Sequence, residues 1–212
     1  MSERHLWRSI VEVAVASPLF LLSPACRRWH LRWGATDGEV AAPMPGDELV
    51  PGASFCATRA IAIRAPPEAV WPWLVQMGWA RAGWYSYDLF DNDARPSADR
   101  VLPEYQDPKV GYRVPMASKV DKTTAFTVRG LERNRWMLWE KPGSTWSWRL
   151  TPLENGSTRL VTRLKQRYAW RDAPANALLT LVLFELADFP MMRKLLLGVK
   201  ARAERLAGGE RG

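Results

Sequence analysis

Residues 61–78, IAIRAPPEAVWPWLVQMG, decide how the chain reads. In the stretch leading into them, ATRAIAIRA, Ala60 and Ala62 alternate with Ile61 and Ile63, the two-residue period of a strand, and Pro66-Pro67 closes it. Pro67 suits the first turn of a helix, where its missing N–H is no loss, and Glu68 complements the positive end of the helix dipole. Val70, Trp71, Leu74 and Val75 then recur at the spacing of one buried helical face, which stops near Gly78. A strand, a breaker and a short buried helix therefore open the main domain.

Downstream, four strand-like stretches are separated only by short turns: TTAFTVRGL (123–131), NRWMLWE (134–140), STWSWRLTPL (144–153) and STRLVTRLKQRY (157–168). Connections this short force antiparallel pairing, because a parallel pair needs a long crossover. Alternation predicts that Leu160, Thr162, Leu164, Gln166 and Tyr168 share the inner face with Trp146, Trp148 and Leu150. Arg159, Val161, Arg163, Lys165 and Arg167 share the outer face with Thr145, Ser147 and Arg149, and that basic face is expected to be solvated. Thr162, Gln166 and Tyr168 need hydrogen-bond partners on a face that should be core. Either they bond one another or the long helix, or they point into a wet or ligand-filled cavity.

A long helix is predicted over Pro174–Leu206, with Met192, Leu195, Leu196, Val199, Ala203 and Leu206 along one stripe. Continued backwards, the stripe meets Glu185 and Asp188 together with Leu178 and Leu181. Pro190 must kink this helix. If the kink leaves the carboxylates inside, each must be neutral or paired with an Arg or Tyr; otherwise they face water. Between the short helix and the strands, GWARAGWYSYDLFDND (78–93) masses Trp84, Tyr85 and Tyr87 beside Asp88, Asp91 and Asp93. Two readings fit: Ser86 or Asp88 caps a short helix over YDLFDN, or these side chains form the rim of a site.

The N-terminal stretch Leu6–Leu22 is mostly apolar but interrupted by Arg8, Glu12 and Pro18, which suits neither a spanning helix nor a signal peptide. What remains is an amphipathic helix from about Glu3 to Ser17, followed by Arg27, Arg28 and Arg32. It packs on its own domain or on an anionic membrane surface. The next segment, WGATDGEVAAPMPGDELVPGA (33–53), is too apolar at Val40, Met44, Leu49 and Val50 for a free linker, and is expected to lie along the domain surface. The organisation is thus an arm (1–56), one domain (57–207) and a disordered tail (208–212).

The 212 residues carry a formal charge of +8 and 12 Trp, a surplus that suggests an aromatic core or the walls of a ligand site. No compact basic run with interleaved aromatics, zinc finger or basic zipper occurs, so no nucleic-acid partner is expected. Cys26 and Cys56 lie far apart, and His5 and His30 both fall in the arm, so neither a metal nor an organic cofactor is expected. Free thiols point to a cytoplasmic protein, peripheral to the membrane if the arm engages lipid.

Strand, helices, antiparallel meander and long terminal helix is the order of the helix-grip fold, an α+β architecture in which a curved antiparallel sheet wraps the last helix around an apolar cavity. With IAIRAPPEAVWPWLVQMG, GWYSYD (83–88), ADRVLPEYQDPKVG (98–111) and MMRKLLLGVKARAERL (191–206), the sequence resembles the START and plant pollen-allergen superfamily. The likeness covers roughly Thr58 to Leu206 and is nearest to the bacterial polyketide cyclase/dehydrase-like and lipid-binding branch, in members with an N-terminal extension. It implies a cavity for a small hydrophobic molecule such as a lipid, isoprenoid or polyketide.

On that reading Phe126, Trp136, Trp146 and Trp148 supply apolar walls. Tyr85, Tyr87 and Asp88 lie at the mouth, and Thr162, Gln166, Tyr168 and Glu185 add polar groups. A rival reading is an aromatase/cyclase or dehydratase using Asp88, Glu185 or Asp188 as a buried acid or base. A third is a membrane-surface module that turns the basic sheet face towards anionic lipid.

Overall fold

The computed structural model describes residues 23–171 and 173–209. The amphipathic helix expected at residues 3–17 lies outside them, as do residues 210–212. Helix α1 (Pro24–Leu31) and the short α2 (Asp37–Ala41) lead to strand β1 (Phe55–Ile63), then α3 (Pro67–Val75) and the single turn α4 (Asp88–Asp91). Strands β2 (Arg113–Pro115), β3 (Ala125–Glu132), β4 (Trp136–Lys141), β5 (Ser144–Pro152) and β6 (Thr158–Gln166) follow. The chain closes with α5 (Pro174–Val182), a π turn at Leu183–Ala187 and α6 (Asp188–Gly209), so Gly208 and Gly209 are helical rather than part of a tail.

All strand pairs are antiparallel in one six-stranded sheet of order β1-β6-β5-β4-β3-β2. The first strand thus lies beside the last, and the meander grows away from that seam. The register Arg59↔Thr162 and Ile61↔Leu160 sets Phe55, Ala57, Arg59, Ile61 and Ile63 on the inner face. Met192, Leu195, Leu196, Val199 and Ala203 of α6 are buried in the same core as α3 and this inner face. The result is the helix-grip arrangement, α+β in class.

The outer face departs from expectation, because the basic side of β6 is not solvated. The segment between α1 and β1 lies across it, as its apolar residues foretold, with Met44 and Val50 buried. Arg163, only 6% exposed, donates to Asp47 Oδ2 (2.5 Å), to Thr58 Oγ1 (2.8 Å) and to the carbonyls of Glu39, Val40 and Ala42 (3.1, 2.8 and 3.1 Å). Arg159 grips Glu39 through two bonds (2.6 and 2.8 Å) and the Gly34 carbonyl (2.6 Å), and Lys165 holds the Asp47 carbonyl (2.6 Å).

The covering backbone supplies acceptors that no apolar strand face could satisfy, so cations at these positions are what its carbonyls require. Close approach also fixes Gly34: at φ +73°, a Cβ there would lie 2.1 Å from the Ala60 carbonyl oxygen.

Replacing Arg163 with Met strands these carbonyls and should destabilise the fold by about 3–5 kcal/mol in urea titrations, with early proteolytic cutting in residues 34–51. The hydrogen bonds from Arg159, joined by that of the Thr36 backbone and opposed by burial, hold Glu39 down at about 2. A depressed carboxyl stabilises the fold above its unfolded value and loses that contribution as pH falls towards the folded one. Wild-type stability should therefore drop between about pH 4.5 and 2 by more than that of Glu39→Gln.

Candidate functional site

The long helix changes character along its length. From Met192 onwards one stripe is buried, whereas Leu178, Leu179 and Leu183 are 56%, 58% and 50% exposed. The change falls at the π turn, where the Asp188 N–H reaches back to the Leu183 carbonyl. This wide turn lies just before Pro190, whose ring excludes the regular bond to the Leu186 carbonyl. The first half of the helix touches the core through Ala177, Leu181 and Phe184, the last with its ring 5.1 Å from that of Phe55, and leaves a cavity of about 370 Å³ beneath it.

Trp84, Phe126, Trp146, Leu164, Met192 and Leu195 form its buried apolar wall, while Phe90, 77% exposed, and Leu183 stand at its mouth. Trp84 stacks on Trp146 (centroids 5.7 Å, 13° between planes), and Phe126 meets the same indole at 5.8 Å. Trp139 and Trp148 buttress Trp146 from behind at 5.5 and 4.9 Å. Trp146 Nε1 donates to Thr162 Oγ1 (2.9 Å), and that hydroxyl donates to the Ser147 carbonyl (2.9 Å). Thr162 is thus committed to fixing the wall and offers nothing to a ligand.

Both carboxylates near the π turn, Glu185 and Asp188, face inward, and both are paired. Arg59, on the inner face of β1 and 1% exposed, donates to Asp188 Oδ2 (2.6 Å) and to the His30 carbonyl (2.8 Å). Burial pushes the Asp188 carboxyl up, and the Arg59 guanidinium opposes that shift. Glu185 accepts two bonds from Arg27 (2.7 Å each) and one from the Tyr168 hydroxyl (3.3 Å). Burial and then the Glu185 charge raise the Tyr168 phenol, which remains a donor.

The other residues singled out from sequence fall in several places. Tyr85 is core: its hydroxyl accepts from Gln76 Nε2 (2.9 Å) and donates to the Trp73 carbonyl (3.1 Å). Gly198 allows that packing, since a Cβ there would lie 2.4 Å from the Tyr85 carbonyl oxygen. Tyr87 sits on the surface beneath Lys194, and Gln166 donates to the Arg167 carbonyl (2.8 Å). Trp136 lies on the outer side of the sheet, opposite Arg149, and bonds Glu132 through Nε1 (3.1 Å). Helix α4 does form over DLFD, but neither Ser86 nor Asp88 caps it: Ser86 donates to the Met191 carbonyl (3.0 Å), and Asp88 accepts from Ser97 N and Oγ (3.0 and 2.5 Å).

Of the named set, the cavity lining takes Phe126, Trp146 and Asp188. It also takes Trp84 and Asp91, from the stretch read as the rim of a site, and adds Lys141, which sequence reasoning did not select. Lys141 has the same parity along β4 as Trp139, and its amine lies 5.0 Å above the Phe126 ring while donating to the Thr123 carbonyl (3.1 Å). Burial lowers its pKa. The Asp91 oxygens are shut off from solvent and make no hydrogen bond of good geometry. Burial first, and then the nearby Asp88 charge, raise that carboxyl, with Ser86 and the backbone of the turn opposing. Among the described residues, no group of His, Cys, Asp and Glu could hold a metal ion.

A helix-grip fold around an aromatic-walled cavity with a few buried charges is the class of protein these features define. No family model and no curated protein matches the chain. Among solved structures, a polyketide-cyclase-like protein from Corynebacterium glutamicum is similar at 17% identity, covering 74% of this chain and 91% of that one, with a TM-score of 0.38. The Aha1 dimer from Colwellia psychrerythraea is 16% identical over 71% of this chain and 96% of its own, with a TM-score of 0.39. The KanY protein is 14% identical over 72% and 99%, with a TM-score of 0.45. These likenesses concern fold and assign no residue a role.

A raised aspartate favours folding at low pH and costs stability as pH climbs from its unfolded value, about 3.9, to the folded one. Asp91→Asn removes that loss, so it should be more stable than wild type at pH 7. The two proteins should converge as pH falls below 4 in denaturation curves taken across that range.

Proposed function

We propose that the protein binds a small hydrophobic molecule in the cavity beneath the long helix. The observation that carries this reading is the cavity itself: about 370 Å³ walled by Trp84, Phe126, Trp146, Leu164, Met192 and Leu195, with a mouth at Phe90 and Leu183. That volume is at the small end of ligand sites, roughly 300–1,000 Å³, and an apolar wall with a few converging polar groups is their usual lining. Ser86, Asp91, Lys141 and Asp188 give a largely apolar space a few polar groups, which suit a lipid, isoprenoid or polyketide-like molecule bearing a hydrogen-bonding group.

A second reading, an enzyme working on the bound molecule, rests on Asp91. Asp88, Glu185 and Asp188 are each held by a well-formed hydrogen bond, whereas Asp91 has only weak contacts with Ser86 and its own turn and a pKa raised by burial. A carboxyl whose pKa is raised beside an apolar cavity is suited to general-acid work.

Native mass spectrometry of protein from its own host should reveal a co-purifying apolar molecule. Added apolar ligands should quench tryptophan emission saturably through the Trp84–Trp146 stack. Ala187→Phe, which fills the cavity from the long helix, should abolish both signals without lowering Tm. Bare protein together with flat titrations of a lipid and polyketide panel would refute the binding reading.

A further inference from the structure

Exposed apolar and aromatic side chains form a continuous run outside the cavity mouth. Phe90 and Leu183 belong to the mouth itself, and Leu179, one helical turn from Leu183, is 58% exposed. From Phe90 the run passes to Tyr87, with ring centroids 6.5 Å apart. The Tyr87 ring carries the Lys194 amine at 3.9 Å. Tyr87 and Lys194 share a shallow depression with Trp29, 56% exposed, and its lining includes Arg193 but no acidic residue.

We propose that this face docks on an anionic lipid bilayer, with Leu179 and Phe90 at the acyl boundary, Trp29 and Tyr87 among the headgroups, and Lys194 towards lipid phosphates. Contiguous apolar surface of this kind marks an interaction site. Aromatic rings with one polar tip, and lysines whose stems lie along apolar surface, favour the boundary between water and hydrocarbon. An anionic leaflet adds attraction for the cations of the depression.

The charge pattern argues against the chain's own N-terminal residues as the occupant. Across residues 1–22 Glu3 and Glu12 are balanced by Arg4 and Arg8, so that segment brings no net negative charge to Lys194 and Arg193. The basic side of the sheet is not available for lipid, because residues 34–51 cover it. The cavity mouth then opens into the bilayer, giving an apolar ligand a path that avoids water.

The test floats the full-length protein with vesicles of equal phosphatidylcholine and phosphatidylglycerol, or of phosphatidylcholine alone. Wild type should float with the anionic vesicles and at least tenfold less with the neutral ones. Leu179→Glu and Lys194→Glu should each lower the bound fraction severalfold, while the response of tryptophan emission to decanol in solution stays as in wild type. Variants that float as wild type overturn the docking face. So does loss of flotation on Val11→Glu with Leu179→Glu unaffected, which assigns the contact to residues 1–22. A dimer that Leu179→Glu converts to monomer in light scattering assigns the face to a second copy instead. Intact, variant-sensitive flotation with a flat decanol response supports the docking face and sinks the cavity reading alone.

Discussion

The long helix roofs a cavity, so along its first half the packing of Ala177, Leu181 and Phe184 on the core cannot by itself set its rotation and height. Two ion pairs at the junction take that role: Arg59–Asp188 ties the helix to β1, and Arg27–Glu185 ties it to α1, with Tyr168 joining from the end of β6. A buried ion pair such as Arg59–Asp188 adds little net stability compared with apolar side chains of equal size, but removing one partner costs about 3–5 kcal/mol; the Arg27–Glu185 pair, with Arg27 37% exposed, is worth less. What they supply is position. A charge has one good partner where a leucine has many, so the helix is held at one rotation and one height above the sheet.

The same logic explains the wall facing the roof. An open volume loses the dispersion contacts its occupants would have made, and a soft wall of aliphatic side chains would collapse into it. Trp84, Trp139, Trp146 and Trp148 form a lattice of edge and face contacts, with Trp146 pinned to Thr162. Large plates with two rotatable bonds hold their shape at low entropy cost. The abundance of tryptophan is therefore the means by which the sheet keeps a concave face that is not filled.

Legibility in the sequence followed the range of the interaction. Period-two alternation in β5 and β6 and the proline-led α3 are local, and both the strands and their faces could be read from them. The clamp on the long helix is non-local, yet its need was visible: two carboxylates on a buried stripe demanded an Arg or Tyr, and they have Arg27, Arg59 and Tyr168. Which arginine could not be read, because Arg59 lies in a strand whose inward parity depends on pairing with β6. Parity also misplaced Trp136 as a wall and hid Trp139 and Lys141, since β4 offers apolar residues to both faces and only its register against β5 separates them. The basic stripe of β6 was identified correctly as an outer face, but its charge was assigned to water, although a covering backbone full of carbonyls needs the same residues.

Covering the outer face has a consequence for the inner one. With residues 34–51 bound to Arg159, Arg163 and Lys165, the strands of the β1–β6 seam are packed on both sides, so the rigid part of the molecule is the sheet. The part free to yield is the first half of the long helix, held by charges at one end and exposed along its outer side. A ligand entering beneath it need displace only that half and the single turn α4, where the Asp91 carboxyl makes no hydrogen bond of good geometry. Because anything that binds the folded state alone stabilises it, occupancy should tighten this mobile side most, and its exchange protection should rise before that of the sheet.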